Sequence, residues 1–146
     1  MIINFIKVNH KTYRLECIIN DEILYQKDLE SRSMLRHDLM HYLIEHHANL
    51  KESFFGTIKY RIPTNEEEIL QTEKIVAILQ NTNKIPNFLA ESIFENIRNS
   101  YNLQHIVLPQ YINKSFITKV CKEYFFNIKK WEEMTTGLNS KIEMSF

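Results

Sequence analysis

The apolar residues of this chain change their spacing once, near Ser31, and that change limits the folds open to it. Before it, Tyr13, Leu15, Cys17 and Ile19 alternate with Arg14 and Glu16, and Ile23 and Tyr25 carry the alternation on to Lys27. A period of two sends successive side chains to opposite faces of a strand. Asn9-His10-Lys11 and Asn20-Asp21 supply turn residues between the runs, and residues 2–8 are rich in β-branched side chains. The first part of the chain therefore predicts a three-stranded antiparallel meander.

After Ser31 the spacing becomes that of amphipathic helices. Residues 34–49 put Leu35, Leu39, Tyr42, Leu43 and Leu50 on one broad face, with Ser33 as N-cap and Asn49 as a left-handed terminator. Phe54-Phe55-Gly56 reads as a loop. Pro63-Thr64-Asn65-Glu66-Glu67 opens the next helix, with Thr64 and Glu67 at capping-box spacing. Its stripe is Ile69, Leu70, Ile75, Val76 and Leu79, and Asn81-Thr82-Asn83 ends it. Pro86 opens a further helix carrying Phe88, Leu89, Ile93, Phe94 and Ile97, ended by Asn99 to Tyr101. Beyond a connector from Pro109 to Asn113, Phe116, Ile117, Val120, Cys121, Tyr124, Phe125 and Ile128 define a long helix. Trp131 lies near its end and Gly137 is its stop. Ile142, Met144 and Phe146 then alternate with Lys141, Glu143 and Ser145. The expected fold is α+β: an N-terminal antiparallel meander, about four helices, and a C-terminal strand returning to the sheet. A chain of 146 residues fits one domain, and a glycine count of two fits a helix-heavy one.

Composition excludes several classes of function. Eighteen acidic and eighteen basic residues leave no excess charge to neutralise phosphates, so nucleic acid is not an expected partner. Lys114, Lys119, Lys122, Lys129 and Lys130 are spaced as the wet face of the last helix. The start, Met1 to Lys7, is too short and lacks the flanks of a signal peptide, and no apolar run approaches a membrane span. Cys17 and Cys121 fall on apolar faces with no CxxC spacing, which predicts two reduced core thiols in a cytoplasmic protein. There is no glycine-rich phosphate loop, no GxSxG and no dinucleotide fingerprint.

Four of the six histidines fall within residues 37–47. On a helix His37, His41 and Glu45 share one edge, where the apolar face meets the polar one, and Asp38 flanks them. Two histidines four apart can converge on one metal ion, as in the HExxH zinc motif. The middle acid here is Asp38, one methylene shorter than the zincin glutamate. Residues 37 and 45 lie about 12 Å apart along the axis, so three ligands in one row would strain a site. A second helix should therefore contribute, and Glu73, set among Ile69, Leu70 and Val76, is the acid nominated; Glu91, Glu95 and His105 are weaker candidates.

Two readings follow. In the first, His37, His41 and Glu45 hold a divalent metal (zinc foremost, then iron, nickel or manganese), and Asp38 or Glu73 accepts a proton from metal-bound water in a hydrolytic reaction. In the second, the same cluster is a structural clasp in an interaction or regulatory module. The Phe54-Phe55 loop or the aromatic last helix, with Phe126, would then meet a protein partner or a second copy of the chain. His46 and His47 read as solvated residues near a helix C-terminus.

The segment from Leu35 to Glu45, followed by Leu50-Lys51-Glu52-Ser53-Phe54-Phe55-Gly56, resembles a group of small uncharacterised bacterial proteins. These carry a His-Asp-x-x-His-x-x-x-Glu helix and then a Gly-Phe-Trp-Gly-like loop. An acid in the following helix, matched by Glu73, and a closing order of Trp, Gly and short strand, matched by Trp131, Gly137 and residues 141–146, extend the resemblance. Ser53 and Phe55 depart from the Gly and Trp of that loop. The resemblance implies a bacterial cytoplasmic protein in which His37, Asp38, His41 and Glu45 act as a unit.

Overall fold

The computed structural model describes residues 1–82, 90–137 and 139–146. The meander forms as the alternation requires: β1 (Ile2–Lys7), β2 (Thr12–Ile19) and β3 (Glu22–Glu30). Asn20 and Asp21, with φ of 50° and 63°, make the two-residue turn between β2 and β3. The C-terminal strand β4 (Lys141–Ser145) pairs antiparallel with β1, giving the sheet order β3-β2-β1-β4. The register sets Ile3 beside Cys17 and Met144, and Phe5 beside Leu15 and Ile142. Tyr13 lies between Lys7 and Leu29; the inner face is buried on β1, β2 and at Ile142 of β4, and only half-buried at Tyr25 and Leu29 of β3.

Five helices are described: α1 (Met34–Ala48), α2 (Phe54–Tyr60), α3 (Glu66–Thr82), α4 (Ala90–Leu103) and α5 (Lys114–Glu133). α1 is the centre of the molecule, packed against β3, α2, α3 and α5. Every residue from Leu39 to Glu45 is buried, so the helix has no wet side along this stretch, where one broad apolar face is the expectation from spacing. The two polar residues of the run, His41 and Glu45, bond to each other. Asn49 ends the helix in the left-handed region, as predicted (φ 54°). Ser33 stands at the N-cap position, but its hydroxyl bonds to Glu30 and makes no cap.

Five further expectations are corrected. Phe54-Phe55-Gly56 is the first turn of α2 and not a loop, because the Glu45 carboxylate accepts the Phe55 and Gly56 N–H groups. α3 is capped by Asn65, whose side chain accepts from the Glu67 and Glu68 N–H groups, and not by Thr64. Leu70 is 62% exposed, off the buried stripe that Ile75, Val76 and Leu79 form. α5 ends at Glu133, where Lys7 Nζ donates to the Trp131 and Met134 carbonyls, and Gly137 (φ 133°) serves the turn into β4 instead. α4 runs past Tyr101 to Leu103, and the expected start of that helix at Pro86, with Phe88 and Leu89, lies outside the described residues.

Lys114, Lys119, Lys122, Lys129 and Lys130 are all on the exposed face of α5, and Phe126 is exposed beside them. Cys17 and Cys121 are free and buried, and burial pushes each thiol up to about 12. Among the described residues no helix is long and apolar enough to cross a membrane.

Candidate functional site

The helical spacing of residues 37, 41 and 45 stacks their side chains along α1, and α3 crosses beside them with Glu73. The result is a chain of hydrogen bonds joined at His41 and Glu73 by an ion pair. Tyr13 on β2 donates its hydroxyl to Asp38 Oδ2 at 2.5 Å. His37 Nδ1 donates to Asp38 Oδ1 at 3.0 Å, and His37 Nε2 to Glu73 Oε2 at 2.9 Å. The other Glu73 oxygen lies 3.3 Å from His41 Nε2. His41 Nδ1 donates to Glu45 Oε1 at 2.6 Å, and Glu45 Oε2 accepts the backbone N–H groups of Phe55 and Gly56 at 2.8 and 3.0 Å.

A carboxylate only accepts, so each ring nitrogen facing one carries its proton in this arrangement. The electrostatics agree. For His37 the hydrogen bond to Asp38 is the largest influence, and with Glu73 it outweighs burial and raises the imidazole pKa. For His41 burial is the largest single influence and acts downward, but Glu45 and Glu73 together push it up to about 9. Glu73 is held down at about 2, chiefly by its bond to His41. The Tyr13 phenol is pushed up by burial and then by Asp38, so it stays a donor.

One side of this chain opens on a pocket of about 250 Å³. His37, Asp38, His41 and Glu73 line its polar wall, and Glu73 is the most open of them, with its side chain 44% exposed. Tyr25, Leu29, Phe54 and Ile69 supply apolar walls, and Lys27 stands at the rim. Glu45 does not reach the pocket: it is fully buried, and both its oxygens are taken.

The sequence thus brings His37, Asp38, His41, Glu45 and Glu73 into one network, but it does not bring in the weaker candidates. Glu91 pairs with Lys114, Glu95 pairs with Arg98, and His105 stands just past α4 in a left-handed turn. His46 is exposed near the end of α1, as expected, but His47 is not solvated. His47 Nε2 meets Glu123 at 3.0 Å, and the His46 ring stacks on Tyr42. Two participants escaped the sequence reading. Tyr13 carried a signal, since a tyrosine on an inner strand face needs a partner for its hydroxyl. Lys27 carried another, since its place in the strand alternation turns a charge toward the helices.

Among the described residues no group of three or more His, Cys, Asp or Glu side chains is spaced to hold a metal ion as it stands; each imidazole Nε2 faces a separate Glu73 oxygen. Comparison of the chain with protein-family models, with curated proteins and with solved structures finds no match.

Proposed function

We propose that this chain binds one divalent metal ion at the pocket wall and uses it in hydrolysis, with His37 Nε2, His41 Nε2 and a Glu73 oxygen as ligands. One observation carries the reading: both histidines commit Nδ1 to a carboxylate and turn Nε2 toward the same third residue at the pocket. Metal-binding histidines are typically held in this way, because a carboxylate on one nitrogen fixes the ring and raises the basicity of the other. The ion would replace the two Nε2 protons, and the half-exposed Glu73 side chain has room to adjust to it. Two imidazoles and a carboxylate suit zinc best, and they also suit iron, nickel or manganese. A metal so held lowers the pKa of its bound water toward neutrality.

In this reading Asp38 and Glu45 position the two rings, in place of the proton-acceptor and ligand roles that sequence alone suggests for them. Asp38 has both oxygens engaged, by His37 and Tyr13, so the second Glu73 oxygen is the group left to accept a proton. The buried free thiols fit a reducing, cytoplasmic setting.

The clasp is the second reading, favoured by a specific observation: every nitrogen of both rings already has a carboxylate partner. It would leave the molecule to act through a protein partner or a second copy. Thermal unfolding with and without added zinc or manganese separates the two. The metal reading expects a clear rise in Tm for the wild type and none for His37→Ala or Glu73→Gln. If the wild type shows no rise and the variants are simply less stable, the clasp is the better account.

A further inference from the structure

A second cavity lies away from this pocket, at the other side of the α1 start. It is an open groove of about 690 Å³ between the β1–β2 turn, the end of β3, the first turn of α1 and the end of α5. Four cations, Lys7, Lys11, Arg32 and Arg36, line it against two acids, Glu30 and Glu132, and His10 stands at its edge. The chain as a whole has no net charge, so this is a local concentration of positive charge.

The two acids offset half of it and leave an excess of two positive charges. Glu30 is taken up by the Arg32 and Ser33 N–H groups and the Ser33 hydroxyl. Glu132 pairs with Arg36 at 3.1 Å, both side chains being well exposed. Lys7 is spent on the carbonyls that end α5. Lys11 and Arg32 form no ion pair with any described residue. The first turn of α1 has no acid and carries Arg36, so basic side chains crowd the positive end of a helix. The Glu30 carboxylate on the Ser33 N–H answers part of that charge, and Lys11 and Arg32 remain for a further anion. The floor beneath it, Leu35, Ile128 and Trp131, is apolar.

We infer that this groove is a second ligand site, which takes the phosphate of a small phosphomonoester between Lys11, Arg32 and Arg36 and lays the organic part on the Leu35–Ile128–Trp131 floor. Guanidinium forks match phosphate oxygens in pairs, and an excess of two positive charges suits a group that is close to a dianion at neutral pH. A carboxylate would leave one charge unanswered.

The test is calorimetric titration in low salt, with EDTA present so that no metal ion can hold the phosphate. The probes are inorganic phosphate, adenosine 5′-monophosphate and adenosine. The wild type is expected to bind the monophosphate saturably and at least tenfold more tightly than adenosine. Lys11→Gln with Arg32→Gln should weaken it at least tenfold; both side chains are exposed, and circular dichroism checks the fold. His37→Ala and Glu73→Gln should bind it as the wild type does, which keeps this site separate from the fate of the metal reading. Absence of saturable binding by the wild type, or unchanged binding by the double variant, overturns the assignment. An affinity for inorganic phosphate equal to that for the monophosphate overturns the role given to the apolar floor.

Discussion

Glu45 joins two helices through a single buried carboxylate, which fixes the His41 ring and supplies the cap of α2. Glu45→Ala would orphan one imidazole N–H and two backbone N–H groups, each costing about 1–3 kcal/mol when buried. Urea unfolding should register a loss of several kcal/mol, partly recovered in Glu45→Gln, which keeps one acceptor; a loss under about 1 kcal/mol would contradict the cap. Gly56 is constrained next to it. A Cβ there would stand 2.5 Å from the Leu50 carbonyl oxygen, backbone that cannot give way cheaply. Helix propensity alone favours alanine by about 1 kcal/mol. Gly56→Ala should nevertheless destabilise, by about 1–3 kcal/mol as overpacked sites do, and the sign of the change in Tm decides. The histidine-acid motif was readable because its spacing is local and helical. The part played by Tyr13 was not, since the aim of a strand hydroxyl depends on which helix packs over it.

At the scale of elements, the legible features were those encoded within a few residues. The alternating strands, the left-handed Asn49 and the stripe of α5, apart from the exposed Phe125, followed from local pattern. What the pattern missed was decided by contacts from elsewhere. α2 is short, and its first turn is capped by a residue from α1, so nothing within Phe54 to Tyr60 announces it. The start of α3 offers two good caps in succession, Thr64 and Asn65, and the choice between them is fixed by Asn65 also bonding Glu52. Asn65→Ala should therefore cost about 1 kcal/mol or more and Thr64→Ala close to nothing, read from paired denaturation curves. The reverse order would restore the capping box at Thr64.

At the scale of the whole molecule, the network ties the sheet, α1, α2 and α3 together through charge, so stability must follow pH. His41 is raised from its ordinary 6.5 to about 9, so its contribution is complete below 6.5 and is lost as pH climbs through 9. Glu73 is lowered from 4.5 to about 2, so its contribution is complete above 4.5 and is lost as pH falls through 2. The metal-free protein should be most stable between these limits, with a decline toward pH 9 that is smaller in His41→Ala, where only His37 remains raised, when Tm is measured against pH. Metal must displace both Nε2 protons, so its affinity should rise over the same alkaline range. Both trends rest on the His37–Glu73–His41 geometry, and the presence of an ion there is the central claim. Elemental analysis of protein purified without a histidine tag and dialysed at known concentration tests it most directly. The account predicts close to one divalent ion per chain in the wild type and almost none in His37→Ala/His41→Ala. A wild-type protein free of metal, and unable to take up zinc or manganese on dialysis, would contradict it.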